Sequence, residues 1–148
     1  MSRWARAAYF CLLLSACTEE PLTSIPAPLT GRDIYLAKCA ACHQPDGNGI
    51  PNICPPLSTS PRLDGTSDEI IRIILLGMKG SIVREGKTYS GIMPAWRFDL
   101  GDVQIAAVVN DVYSRWKPGS PEVTEEQVRR IRDETAKKKL FPTEAELR

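Results

Sequence analysis

Apolar residues recur at helical spacing in three stretches of the chain, and each stretch has a residue near its start that can cap a helix. The first prediction is a short helix over Thr30 to Lys38, with Thr30 as N-cap and Asp33 reaching back to it. A second helix is predicted over Ile70 to Leu76 and a third over about Asp102 to Trp116. Because helices dominate the pattern, the sequence predicts an all-α fold.

Two further segments have weaker patterns. Residues Ser81 to Tyr89, with Glu85-Gly86 in the middle, indicate a small hairpin or loop. After Lys117 the chain becomes a charged tail, in which we predict a helix from about Val123 to Lys139. Eight basic and seven acidic side chains between Lys117 and Arg148 favour a solvated face for this tail. A docking element for a partner enzyme is the alternative, because three consecutive lysines, 137–139, form a compact basic cluster.

The N-terminus is typical of an export signal. Arg3 and Arg6 precede the apolar run Ala7 to Leu14, which is too short to span a membrane as a mature helix. The next residues, Leu14-Ser15-Ala16-Cys17, resemble the lipobox of bacterial lipoproteins, where cleavage falls before the cysteine and its thiol is lipidated. We therefore expect residues 1–16 to be a lipoprotein signal peptide and Cys17 to be the lipid anchor. An ordinary secretory peptide, with Cys17 incidental, is the alternative.

This interpretation divides the chain and sets its compartment. Residues 17–29 carry three prolines and predict a semi-rigid tether, residues 30–117 the folded domain, and residues 118–148 the charged tail. Export and lipidation place the protein on the periplasmic side of a bacterial membrane, attached without spanning it.

Composition narrows the function classes. With 43% hydrophobic and 25% charged residues the chain lies in the ordinary globular range, which excludes disordered and fibrous classes. A formal net charge of +1 is too balanced for the electrostatic footprint of a nucleic-acid binder.

The run Cys39-Ala40-Ala41-Cys42-His43 fits the C-x-x-C-H pattern of c-type haem attachment. Two thiols one helical turn apart can add to the two haem vinyl groups, and the histidine that follows is brought beneath the iron. A thioredoxin-like redox pair needs a preceding strand, and a zinc site needs two further ligands from a chain with one histidine. The motif therefore predicts one covalently bound haem c, attached at Cys39 and Cys42 and ligated by His43.

The other axial ligand is expected to be a methionine. His43 is the only histidine, so two histidines of one chain cannot ligate the iron. Once Met1 is removed, Met78 and Met93 remain, and Met93 lies in a loop stiffened by Pro94. We predict Met93 as the ligand and interpret Met78 as flexible core filler. Ligation by histidine and methionine leaves no open position, so the iron exchanges electrons and activates no substrate.

Residues from about Thr30 to Trp116 resemble a class I, mitochondrial-type cytochrome c domain. The resemblance is carried by CAACHQPDGNG, the PPL of Pro55 to Leu57, YSGIMPAW and the closing helix LGDVQIAAVVNDVYSRW. It implies a small cytochrome c fold of three main helices around a covalently attached haem, with a charged C-terminal helix added here. It also implies that the first and last helices cross closely, with Gly31 and Tyr35 meeting Tyr113.

The resemblance further implies which residues surround the haem. The carbonyl of Pro55 is expected to accept a hydrogen bond from His43, and Leu57 is expected to pack on the porphyrin. Three residues of the YSGIMPAW run are also expected beside the haem: Tyr89, Pro94 and Trp96. For Trp96, contact with a partner protein is the alternative.

These expectations describe a single-electron carrier and not an enzyme. Its partners are redox proteins that dock transiently at the haem edge, with no nucleic acid and no small-molecule substrate. The Y-x-G-x-M-P-A-W run also looks like cytochrome subunits of haem-copper oxidases, copper nitrite reductases and quinohaemoprotein dehydrogenases, so a permanent subunit of a larger membrane complex is the alternative. A gas sensor or enzyme needs an open iron site, which a Met93 ligand would close.

Cys54 has no role in this scheme. A redox-sensing thiol, a site of intermolecular pairing, and a small buried side chain close to the haem are the three interpretations.

Overall fold

The computed structural model of the protein describes residues 29–147, which begin with a long helical segment. The segment runs without a break through α1 (Gly31–Ile34), a π-helical stretch (Tyr35–Cys39) and α2 (Ala40–His43). Its start is fixed by the predicted capping box, because the Thr30 hydroxyl accepts from the Asp33 N–H at 3.2 Å while the Asp33 carboxylate accepts from the Thr30 N–H at 3.0 Å. The segment extends past the predicted end at Lys38 and carries the whole CAACH motif. The predicted signal peptide, the Cys17 anchor and most of the tether lie outside the described residues.

The second main helix is α3 (Ser67–Leu76), preceded by a 3-10 turn over Pro61–Asp64. Its N-cap is Thr66, whose hydroxyl accepts from the Glu69 N–H at 3.3 Å, and it ends before Gly77 as predicted. Ile71 and Leu75 are fully buried, so this helix contributes its inner face to the main core.

A small antiparallel hairpin follows, which confirms the hairpin prediction. It consists of β1 (Ile82–Arg84) and β2 (Lys87–Tyr89), with Ile82 opposite Tyr89. The two residues of the turn, Glu85 and Gly86, both have positive φ, as the tight turn of a two-residue hairpin requires.

The third main helix, α4 (Asp102–Trp116), has the predicted bounds. At its start the Gly101 N–H donates to the Gln104 side-chain oxygen at 2.9 Å, which is one half of a capping box, and glycine has no side chain to form the other half. α4 crosses α1 so closely that a Cβ at Gly31 would lie 2.0 Å from the Ala107 carbonyl oxygen. The close crossing is confirmed, but Tyr35 stacks edge-on against Trp116, with 5.6 Å between ring centroids. In the structure Gly31 therefore lies against Ala107 and not against Tyr113.

The charged tail folds back onto the domain. Its helix, α5 (Glu125–Glu134), packs on α3 and α4 through Val128 and Ile131, both fully buried. Val123, which precedes the Thr124 N-cap, is buried in the same core as Val128. The helix ends earlier than Lys139, and its exposed face is charged as predicted. The structure shows in addition that α5 has an apolar face, which α3 and α4 cover.

The chain then returns to α3 and ends in a 3-10 turn, Glu144–Leu147. Leu147 packs with Ile73 and Leu76 in a second, smaller core cluster. Residues 118–147 are therefore part of the same folded body as the helices before them. No helix within residues 29–147 is long and apolar enough to cross a membrane.

Candidate functional site

An apolar cleft lies between the CAACH segment, α3, α4 and the hairpin. It encloses about 1130 Å³ of empty space, including the part that is open to solvent. Cys39, Cys42 and His43 line one part of it, and Met93 lines another. The cleft therefore gathers the two predicted attachment thiols and both predicted axial ligands.

The π-helical stretch and α2 place the motif in the cleft wall. The Ala40 N–H donates to the Tyr35 carbonyl five residues earlier, the bond that defines a π-turn, and such turns are frequent at functional sites. The buried Tyr35 hydroxyl donates to the Gln44 carbonyl at 2.7 Å, which holds the chain directly after His43. Burial raises the pKa of Tyr35 to about 12, so the phenol remains a neutral donor.

His43 is largely enclosed by the loop that follows it. Burial lowers its pKa because the imidazolium loses hydration, while the Pro55 carbonyl acts in the opposite direction as a hydrogen-bond acceptor. The Cys54 Sγ lies 3.8 Å from the Nδ1 of His43. The ring is thus held neutral, the form that ligates iron, between a carbonyl and a thiol.

Both Cys39 and Cys54 lie in an apolar environment. Burial raises the pKa of each thiol to about 11, chiefly because the thiolate is poorly solvated there. The cysteines described by the structure, Cys39, Cys42 and Cys54, form no disulfide among themselves.

The loop after the motif can approach this closely because of Gly49. Its φ is +68°, and a Cβ there would lie 2.2 Å from the Cys54 carbonyl oxygen. Its N–H donates to the His43 carbonyl at 3.0 Å. A glycine is therefore needed for the chain to fold back over His43.

Met93 is held in place by pairing with Met78. The Met78 N–H donates to the Met93 carbonyl at 3.1 Å, and the Met93 N–H donates to the Met78 carbonyl at 2.9 Å. Both methionines pack against the smaller core cluster and both line the cleft, so their packing does not separate the predicted ligand from the predicted core filler. The sequence therefore missed that both thioether sulfurs belong to residues of the cleft wall.

The remaining predicted site residues divide into two groups. Pro55, Leu57 and Tyr89 line the cleft, whereas Pro94 and Trp96 do not. After Met93 the chain turns away, because the Trp96 N–H donates to the Ile74 carbonyl at 2.9 Å and the indole packs against the main core. Pro94 and Trp96 are therefore not part of the cleft wall, and their position beside the haem stays a prediction.

Two arginines in the wall were not predicted. Arg62 and Arg84 line the otherwise apolar cleft, with side chains only 13% and 19% exposed. The Nε of Arg62 is buried and has no hydrogen-bond partner among residues 29–147. Arg62 lies in the short 3-10 turn and Arg84 in the three-residue strand β1, and elements this short have too few residues for a periodic pattern that would indicate the buried side.

Residues 26–110 match the family described as cytochrome c oxidase, cbb3-type, subunit III, which covers more than half of the chain. The chain belongs to the cytochrome c family. Cytochromes of this family are electron carriers or cytochrome subunits and are not catalytic themselves, and this one carries a single haem c, covalently bound.

Relatives of the cytochrome fall into two groups. One cytochrome c-552 of Thermus thermophilus is 35% identical over 125 residues, 78% of this chain and 80% of that protein. The gluconate 2-dehydrogenase cytochrome c subunit of Pantoea cypripedii is 35% identical over 111 residues, 72% of this chain and 25% of that subunit. Among solved structures, the c-type cytochrome XoxG of Methylobacterium extorquens AM1 aligns at 25% identity with a TM-score of 0.38, over 70% of this chain and 64% of that one.

The cleft of the cytochrome fits a haem. Its wall is largely apolar, as the porphyrin faces require, and it holds three thiols, one imidazole and two thioethers. The buried Nε of Arg62 is a donor without an acceptor in the described part of the chain, and haem carries two carboxylates. Within the same residues no cluster of His, Cys, Asp or Glu side chains could hold a bare metal ion.

Proposed function

We propose that the cytochrome is a single-electron carrier whose haem is attached through Cys39 and Cys42 and ligated by His43 and Met93. The observation that carries the proposal is the shared cleft: a continuous helical segment presents the first three residues, and the Met78–Met93 pair presents the fourth. Haem iron with these two ligands alternates between two oxidation states and has no open coordination position.

The chain's own residues favour electron exchange over substrate chemistry. Side chains of α3 and α4 form an apolar wall of the cleft: Ile70, Ile73, Ile74, Val108 and Val112. A haem against this wall would be shielded from water on that side, which would reduce the solvent reorganisation that accompanies a change of charge. His43 is held between Cys54 and the loop at Pro55, so its ring has little freedom to swing away from the cleft.

The ligand assignment is tested by exchanging each methionine separately. The Met93→Ala cytochrome is expected to lose the far-red absorption band that a methionine–iron bond gives to ferric cytochromes, and to bind carbon monoxide in its ferrous form. The Met78→Ala cytochrome is the matched control and should keep the band. Loss of the band in Met78→Ala with retention in Met93→Ala would reverse the assignment.

We further propose that the cytochrome is exported and anchored by a lipid on Cys17, facing the periplasm. The support is the order of charge, apolar run and Leu14-Ser15-Ala16-Cys17 in the sequence. The Cys17→Ser variant should no longer be found in the membrane fraction. Cys11→Ser, which changes a cysteine of the predicted signal segment, is the control and should leave the membrane attachment unchanged. Membrane attachment of both variants would contradict the anchor.

A permanent place in a larger redox complex is the second candidate. It is favoured by the likeness to cytochrome subunits, including the alcohol dehydrogenase (quinone) subunit of Gluconobacter oxydans, which is 30% identical over 92 residues. Those subunits are much longer than this chain, which covers 19% of the one from Gluconobacter oxydans. Purification after mild detergent extraction separates the candidates: a free carrier elutes alone, whereas a subunit co-elutes with a large enzyme in fixed ratio.

A further inference from the structure

The last turn of the chain lies on the rim of the cleft. Glu144 contacts both arginines of the cleft wall: its Oε1 lies 2.8 Å from Nη2 of Arg62, and its Oε2 lies 3.4 Å from Nη1 of Arg84, whose Nη2 also pairs with Oε1. The guanidinium of Arg84, and then that of Arg62, lower the pKa of Glu144, so its carboxylate is ionised at neutral pH. Arg62 pairs in addition with Glu69 of α3.

These charges lie in partly desolvated surroundings. The side chains of Arg62, Arg84 and Glu144 are 13%, 19% and 23% exposed. Charge interactions at such sites are screened less than those at the surface. Oxidation of a haem iron bound in the same cleft would add one positive charge there, so the net charge of this rim would affect the balance between the oxidised and reduced protein.

We infer that Glu144 is a positioning residue that sets the reduction potential of the cytochrome by holding Arg62 and Arg84 at the rim and offsetting their positive charge. The inference rests on the proposed binding of haem in this cleft. Without the carboxylate of Glu144, the two arginines would be opposed by Glu69 alone. The positive charge left over would disfavour the oxidised iron, so Glu144 lowers the potential. If Glu144 had only a structural role, its substitution would change the stability of the protein and leave the reduction potential unchanged.

The test compares three single substitutions in the holo-cytochrome by potentiometric titration. At a fixed solution potential, Glu144→Gln is expected to raise the ratio of reduced to oxidised protein about fivefold to tenfold. For one electron, a tenfold change corresponds to a shift of about 59 mV in the reduction potential. Glu144→Asp keeps the charge and should stay closer to wild type. Glu126→Gln removes the same charge from an exposed surface pair with Arg129 and should change the ratio less than about twofold.

If Glu144→Gln folds poorly, a substitution that removes a positive charge from the same rim still tests the inference. Arg84→Gln should lower the ratio of reduced to oxidised protein, and the Arg84→Gln/Glu144→Gln double variant should return toward wild type. Equal potentials in wild type, Glu144→Gln and Arg84→Gln would overturn the inference. A wild-type protein that shows no reversible one-electron couple would instead overturn the proposed function, so the two failures are distinguishable.

Discussion

Cys54 lies in the wall of the cleft, with its Sγ beside the Nδ1 of His43. Its half-buried position favours the interpretation of a small side chain near the haem over a thiol that is free to pair with another molecule. The same contact helps to hold His43, the predicted iron ligand, in place.

We expect Cys54 to react slowly with iodoacetamide in the native holo-cytochrome, about tenfold or more slowly than in the urea-unfolded protein, because the cleft wall restricts access to the thiol. Mass spectrometry of the modified peptide over time measures the rate. Equal rates in the native and unfolded protein would contradict a buried thiol.

At the scale of single residues, the sequence predicts most where chemistry and spacing coincide. One motif predicts Cys39, Cys42 and His43 together, and the structure places all three in the wall of one cleft. The rim charges could not be found in this way, because Arg62 and Glu144 lie 82 positions apart and meet only in the folded chain. Trp96 packs against the main core because the backbone turns away after Met93, and a run of motif letters does not show such a turn.

The crossing of α1 and α4 is tight enough to predict the effect of one methyl group. Gly31→Ala would bring a Cβ within 2.0 Å of the Ala107 carbonyl oxygen, so the helices must separate. We expect a loss of about 2 kcal/mol in the free energy of unfolding, measured by urea titration. In Gly101→Ala the nearest atom is 3.7 Å away, and the loss should be under about 1 kcal/mol. A smaller loss for Gly31→Ala than for Gly101→Ala would contradict the close packing.

Helix α5 is expected to stabilise the domain through its buried face. Ile131 is fully buried between α5 and the main core, so Ile131→Ala should lower the free energy of unfolding by about 2–5 kcal/mol. Glu126→Ala changes an exposed position of the same helix and should cost less than about 0.5 kcal/mol. Similar values for both variants would show that the helix does not depend on this packing.

The bounds of the helices were predicted best where a cap or a glycine marks them, as at Thr30, Thr66 and Gly77. The end of α5 has no such signal, because helix-forming lysines continue beyond it. Thr135 ends it through tertiary contacts: it is fully buried, and its carbonyl accepts from Arg97 at 3.2 Å. Such an ending depends on a neighbour far along the chain, so local sequence could not show it.

On the scale of the whole molecule, the tail is joined to the body by acidic groups with lowered pKa values. Asp68 of α3 is stabilised as a carboxylate by Gln127 and then Arg130 of α5, and Glu144 by Arg84 and Arg62. Their ordinary pKa values are 3.8 and 4.5, so both carboxylates are charged in either state above about pH 5. Their contribution is present there and is lost as the pH falls through the lowered values.

We therefore expect the free energy of unfolding to fall progressively below about pH 5, and to fall less steeply in an Asp68→Asn/Glu144→Gln double variant. Urea unfolding followed by circular dichroism across this range measures both slopes. Parallel slopes in wild type and double variant would contradict a role for these two groups in acid sensitivity.

The predicted division into a domain of residues 30–117 and a separate tail followed from composition, in which charge dominates after Lys117. The structure describes one body, because the few apolar residues of the tail are those that α3 and α4 cover. An amphipathic helix with a narrow apolar face looks solvated until its partner surface is known.

The contact between Arg62 and Glu144 also has a consequence for the order of folding. It closes a loop of more than half the chain, and contacts of such long separation form late because of the entropy lost in closing the loop. Glu144→Gln should therefore accelerate unfolding in stopped-flow experiments and leave the folding rate almost unchanged. The rim of the cleft is then the last part of the body to close and the first to open, so the kinetic lifetime of the haem site depends on the final residues of the chain.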